Sequence, residues 1–173
     1  MPVQQGVMSA YQLMPHTHKG IGQGGIIRND FLYQGCGCFA YRTVAQAIVT
    51  NTVTKVLFDA ERYDIGADFD ADGVDSNFSA PEDGYYYIDA HITFEALADG
   101  KIVEVNLVLG GATLVYSRLN SGLISDLTVC ASVLRFLTAG QLITVQVWHD
   151  HGANRNILGG DAYSYISIFK IGE

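Results

Sequence analysis

The chain has 173 residues, of which 49% are hydrophobic and only 16% charged, with a net charge of −8. That length suits one domain plus a short extension, and the acidic balance excludes a nucleic-acid surface, which needs clustered Lys and Arg. No apolar run reaches the roughly 18 residues of a membrane span, so no membrane insertion is expected.

An average globular domain carries about 25% charged residues. The deficit here predicts that part of the surface is covered by further copies of the same chain. With 19 Gly, 3 Pro, 10 Tyr and 8 Phe, and many segments rich in Val, Ile and Thr, the composition favours strands and turns over helices. Cys36, Cys38 and Cys130 are odd in number and include one C-x-C pair, which fits neither a disulfide framework nor zinc-ribbon spacing. They are read as reduced thiols, with Cys130 in a core strand and the pair near a chain junction. The first twenty residues lack a basic segment followed by an apolar one, so no signal peptide is expected. Synthesis and folding in a cytoplasm are therefore expected.

Residues 1–38 are Gly-rich, hold two of the three prolines, show no sustained period and carry only Lys19, Arg28 and Asp30 as charges. They read as an extended attachment and oligomerisation segment, and residues 39–173 as the head. The clearest strand covers 85–95. Tyr86, Ile88, Ala90, Ile92 and Phe94 share one face, while Tyr85, Tyr87, Asp89, His91, Thr93 and Glu95 share the other. A turn at 98–101 leads to a strand over 102–109, which ends at Gly110-Gly111. Strands at 112–116, 127–137, 141–149 and 162–171 follow. In 142–148 and 163–169 both parities carry bulky apolar residues, although an antiparallel sandwich strand normally wets one face. Either a loop covers the second face or a subunit interface does. The low charge content favours the interface.

The order of these segments resembles the globular head of complement C1q, within the C1q/TNF-like jelly-roll superfamily. The matching pieces are Phe39-Ala40-Tyr41-Arg42, Lys55-Val56-Leu57-Phe58, Tyr63-Asp64, Asn77-Phe78-Ser79-Ala80-Pro81, Gly84-Tyr85-Tyr86 and Val105-Asn106-Leu107. Residues 131–137, 139–145 and 165–171 continue in the same order. The most specific piece is F-x-A-P-x-x-G-Y-Y, residues 78–86. The resemblance implies an all-β, ten-stranded antiparallel jelly-roll sandwich that packs as a homotrimer and serves recognition, not catalysis. No Gly-X-Y collagen repeat precedes the head in this sequence. Pro15-His16-Thr17-His18-Lys19-Gly20 and the glycines after it resemble the H-x-H-x-G segments of phage fibre and virion-surface proteins.

Several constellations are candidates for chemistry. His16 and His18, and again His149 and His151, are two apart, so an extended chain points each pair the same way. Three copies of such a pair would offer six nitrogens to a transition metal on a trimer axis; the alternative is solvated histidines. Asp68-x-Asp70-x-Asp72-Gly73 opens like a calcium loop, with Asp64 and Asp75 as further oxygens. Ser79 stands where a full loop has Glu, and an acidic surface turn is the competing reading. From Asp59 to Asp83 there are nine acids and one base, Arg62. Tyr85, Tyr87 and Trp148 are candidates for a ligand-binding surface, since aromatics stack on sugars and anchor interfaces; burial in a subunit contact competes. Asp89 and His91 can converge on the outer face of their strand. Gly20-x-Gly22-x-x-Gly25 is not read as a dinucleotide site, because no strand precedes it and no helix follows.

These readings predict a non-enzymatic trimeric protein that requires no cofactor. It would be a bacteriophage fibre or capsid-decorating protein, joined to capsid or tail proteins through residues 1–38, with its head contacting a host surface or its glycans. The runner-up is a bacterial surface or secreted lectin-like module with calcium-assisted carbohydrate binding.

Overall fold

The computed structural model describes residues 36–122 and 124–172. Among them there are thirteen strand segments and no helix: β1 (Gly37–Tyr41), β2 (Gln46–Ile48), β3 (Thr54–Lys55), β4 (Ala60–Ile65), β5 (Phe69–Asp70), β6 (Asn77–Ser79), β7 (Gly84–Leu97), β8 (Ile102–Leu109), β9 (Ala112–Asn120), β10 (Ser125–Leu137), β11 (Leu142–His149), β12 (Arg155–Ile157) and β13 (Ser164–Gly172). Five of them, β2, β3, β5, β6 and β12, are only two or three residues long. These fragments, cut by turns, carry the count beyond the expected ten.

The strands form two antiparallel sheets. In the first, β7 is central. It pairs with β10 on one side and with β13 on the other, and β1 and β4 continue outward from β13. Short β12 and β2 extend this sheet past the start of β13, where Ile157 meets Phe94. The second sheet runs β5, β6, β11, β8, β9, with β3 also beside β11.

The alternation read in 85–95 sets the sandwich. Tyr86, Ile88, Ala90, Ile92 and Phe94 are all fully buried, and they meet Val103, Val105 and Leu107 of β8 and Ile143, Val145 and Val147 of β11 in one core. Side chains on alternate residues point to opposite faces, so the register of β7 decides which face of the whole sheet is sealed inside. The F-x-A-P-x-x-G-Y-Y piece builds the entry to β7. Ala80 donates its N–H to Gln141 O at 2.9 Å, and Gly140 donates to Ala80 O at 2.7 Å, which ties this corner to the turn before β11. A side chain at Gly84 would bring its Cβ within 2.6 Å of the Gly172 carbonyl oxygen, so only glycine lets the end of β13 close over β7.

Two sequence readings are corrected here. The head does not begin at residue 39: β1 takes in Gly37 and Cys38, and Cys36 and Cys38 both lie in the core. Cys38 belongs to the first strand and Cys36 immediately precedes it; burial pushes the Cys36 thiol up to about 12 and the Cys38 thiol higher still. Cys130 is exposed, not in the core. On β10 it is Val129, Ala131 and Leu137 that point inward, so Cys130 falls on the opposite face.

Ile88 has no exposure at the centre of β7, whereas Val53 is 57% exposed. Ile88→Ala is expected to lower unfolding free energy by about 2–5 kcal/mol, and Val53→Ala by less than about 0.5 kcal/mol, in denaturant titrations followed by circular dichroism.

Candidate functional site

The outer face of the first sheet carries the residues that alternate with the core. Along β7 these are Tyr85, Tyr87, Asp89 and His91. The β10 register sets Phe136, Leu134, Ser132 and Cys130 beside them in that order, and the β13 register sets Phe169, Ser167 and Tyr165 opposite Tyr87, Asp89 and His91. Phe39 of β1 and Tyr63 of β4 continue the rows.

This face has two zones. At one end Tyr85, Tyr87, Leu134, Phe136 and Phe169 form an apolar zone, each between 41% and 54% exposed. Tyr85 and Phe136 meet edge to face at 5.2 Å. Phe169 lies over β1 because position 37 is glycine, where a Cβ would sit 3.1 Å from the ring. The rows then give way to a polar band. Asp89 Oδ2 lies 3.0 Å from His91 Nε2, and Cys130 Sγ lies 3.1 Å from His91 Nδ1. Tyr165 stacks on the imidazole at 4.6 Å and 13°, and Phe39 stacks on Tyr165 at 4.8 Å. Tyrosine and phenylalanine on an uncovered sheet face are costly to hydrate, and apolar patches of this kind mark interaction surfaces.

The acidic segment folds as a turn between β5 and β6. Asp70, Asp72 and Asp75 bring one oxygen each within 4.8 Å of one another, all three exposed. Asp68 is not part of this group, a correction to the D-x-D-x-D reading. It lies just before β5, where burial, opposed by a hydrogen bond with Cys36, holds its carboxyl above the ordinary value, and Asp75 takes its place. Asp72 Oδ1 accepts the N–H groups of Val74 at 2.7 Å and Asp75 at 2.8 Å, so the carboxylate organises its own turn. Those bonds, Asp75 first and then Val74, hold the Asp72 carboxyl below its ordinary value. Asp64 is turned inward to the backbone and accepts the Phe69 N–H at 2.9 Å. An open cavity of about 510 Å³ adjoins the segment, lined by Asp68, Asp70, Asn77, Ser79 and Pro81.

No protein-family model matches the chain, and no curated protein matches its sequence. Solved structures do. The Eiger TNF of S. frugiperda aligns over 80% of this chain and 94% of its own, at 12% identity and a TM-score of 0.62. The globular domain of the zebrafish complement 1qA protein aligns over 79% and 97%, at 14% identity and 0.60. Murine APRIL aligns over 80% and 100%, at 14% identity and 0.60. The fold is the C1q/TNF-like jelly roll.

Within this jelly roll the remaining sequence candidates separate. His149 and His151 do not form a chelating pair. His149 is fully buried; its Nδ1 accepts the His151 backbone N–H at 3.2 Å, so its Nε2–H donates to the Ile48 carbonyl at 3.1 Å. His151 Nε2 accepts from Arg155 at 2.9 Å, and burial with the Arg155 charge lowers its pKa. The end of β11 curls, so the two rings do not share a face as an extended strand would require. Trp148 sits on the second sheet, with the Arg118 guanidinium 5.9 Å from its ring, on the far side of the sandwich from Tyr85 and Tyr87. The three aromatics therefore make no common surface. His16 and His18 lie outside the described residues. The sequence reading missed Leu134, Phe136 and Phe169 as surface residues. The signal for Phe169 was present in 163–169, where both parities are apolar, and that for Leu134 and Phe136 only at the end of 127–137, where bulky residues fall on the otherwise polar parity.

Because the Asp72 carboxyl is depressed in the folded chain, its contribution to the turn is present above the ordinary value of 3.8 and lost as pH falls through the lower folded value. Amide exchange at Val74 and Asp75, read by NMR, is expected to accelerate in Asp72→Ala at neutral pH and in the wild type only at strongly acidic pH. Asp72→Asn, which keeps an acceptor oxygen, retains protection.

Proposed function

We propose that this chain is a non-enzymatic homotrimeric binding head, displayed outward on a bacteriophage-like virion. Residues 1–38 would join it to capsid or tail proteins, and the head would contact host-surface glycans. One observation carries the trimeric reading: the apolar zone of Tyr85, Tyr87, Leu134, Phe136 and Phe169 on a sheet whose other face is already sealed in the sandwich. A single copy leaves that zone in water. Its burial at about 25 cal/mol per Å² rewards association, and obligate interfaces resemble a domain core cut in half. The C1q/TNF-like fold and the low charge content support the same reading. The display role is supported by the H-x-H-x-G likeness of residues 15–20 to phage fibre segments. Three equal heads on one axis turn weak single contacts into avidity.

A calcium-assisted lectin-like module is the second reading, favoured by the convergence of Asp70, Asp72 and Asp75. Calcium-dependent retention on a glycan array would select it over the first.

Light scattering on the full chain at micromolar concentration is expected to give three copies. Leu134→Glu with Phe136→Glu is expected to give a folded single copy, with circular dichroism unchanged. A monodisperse single-copy wild type would overturn the trimer. For display, antibodies against the head are expected to label intact particles, and labelling seen only after particle disruption would overturn it.

A further inference from the structure

The short strands β2 and β12 form an edge of the first sheet that is tied to β7 at one end. They pair with each other over Gln46–Ile48 and Arg155–Ile157, and β12 meets β7 where Ile157 pairs with Phe94 and the Leu158 N–H donates to Thr93 O at 2.8 Å. Ile48 and Ile157 are the fully buried anchors of this edge. We propose that it is a proton-sensitive flap, latched by the contact between Arg155 and a neutral His151 and opened more readily when His151 takes a proton.

The latch follows from donor and acceptor roles. A guanidinium only donates, so His151 Nε2, which lies 2.9 Å from Arg155 Nη2, presents its lone pair. The ring proton then sits on Nδ1 and the imidazole is neutral. A further proton enters at Nε2, where Arg155 already points a donor. It removes the acceptor and sets two cations face to face. The turn that carries His151 is also joined to the loop after β2. Gly152 donates its N–H to Thr50 Oγ1 at 3.0 Å, and Asn51 donates to the His149 carbonyl at 2.8 Å. His149 Nε2 reaches Ile48 O on β2 at 3.1 Å. Loss of the Arg155 bond is therefore felt along both strands of the flap.

The charges around the ring set the direction of the response. Arg155 faces it from β12, His149 from the end of β11 and Lys101 from the turn before β8. Asp150 acts against them, but its Oδ1 is engaged by the Ile102 N–H at 2.7 Å. Glu95 of β7 is taken by the Asn156 amide at 2.8 Å. Burial first, and then the Arg155 charge, hold the His151 imidazole below its ordinary value of 6.5. By linkage, closure of the flap is fully favoured above 6.5 and weakens as pH falls through the lower folded value, because the open chain binds the proton more tightly. Release also relieves two donors. His151 Nδ1 and Arg155 Nε are buried without an acceptor among the described residues, and opening gives both to water.

The test is hydrogen exchange on the full chain, read by peptide mass spectrometry, alongside an NMR titration of the His151 ring. The ring is expected to titrate below 6.5. Exchange is compared at about pH 8 and about pH 5, a range in which histidine titrates and most carboxylates stay charged. After correction for the intrinsic rate, exchange in Gln46–Ile48 and Arg155–Ile157 is expected to rise at the lower pH, by up to roughly tenfold for each pH unit by which the His151 midpoint is displaced. Ile88 and Ala90 of β7 keep their protection. His151→Gln keeps an acceptor for Arg155 and takes no proton, so its flap stays protected at both pH values. Arg155→Met removes the latch, raises flap exchange at the higher pH and moves the His151 midpoint up toward 6.5. Flap exchange that ignores pH, an acid response that persists in His151→Gln, or a wild-type midpoint at or above 6.5 overturns the inference. Acid loss of protection across β7 as well overturns it too, since the whole sandwich then opens and not its edge.

Discussion

The alternation of side chains along β7 is the constraint on which the rest of the structure depends. One parity, Tyr86 to Phe94, is sealed in the sandwich core. The other parity is thereby committed to the opposite face, along with every residue that β10 and β13 set beside it in register. A one-residue slip would send Asp89 and His91 inward and expose Ile88 and Ala90. Strong core packing on one side therefore fixes an aromatic surface on the other, and the two cannot be changed independently. Fold and candidate interface are consequences of the same register.

This dependence explains what was legible in the sequence. Strict alternation in 85–95 gave the strand, its inner face and its outer face, and the structure has β7 at Gly84–Leu97. Strands 102–109 and 127–137 were placed to within two residues, because glycines and an Asp-Gly turn mark their ends. The strand over 112–116 was cut short: β9 runs to Asn120, since Arg118 and Leu119 stay paired with Glu104 and Val103 across the ladder. No local period reports that kind of partner. The position of Cys130 was misread by residue type: residues 127–133 alternate, with Leu127, Val129, Ala131 and Val133 on the core parity and Thr128, Cys130 and Ser132 on the other.

The candidate sites were less legible than the fold, because they depend on departures from regular geometry. Extended-chain reasoning places residues i and i+2 on one side. It holds for Asp89 and His91, which lie within a long regular strand. It fails at His149 and His151, where the strand ends and the second backbone N–H folds back on the first ring. It holds for Asp70 and Asp72 but does not bring Asp68 to them; the turn through Gly73, at φ +74°, places Asp75 beside them instead. Cys130 comes to His91 from 39 residues away through strand pairing, a proximity that no spacing in the sequence encodes.

A purely apolar sheet face would associate readily but in many registers, because hydrophobic burial is non-directional. The band of Asp89, His91, Cys130 and Tyr165 interrupts the aromatic rows with groups that need partners of defined geometry. Covering them wrongly leaves a carboxylate or an imidazole desolvated without a hydrogen bond, which costs on the order of 1–3 kcal/mol for each group. In the proposed trimer, a covering copy that left these groups without partners would meet that penalty. The apolar zone would then supply the drive to associate, and the polar band would restrict the arrangements in which association is favourable. In this sequence the two functions are divided along the length of a single strand, Tyr85 and Tyr87 for the first and Asp89 and His91 for the second.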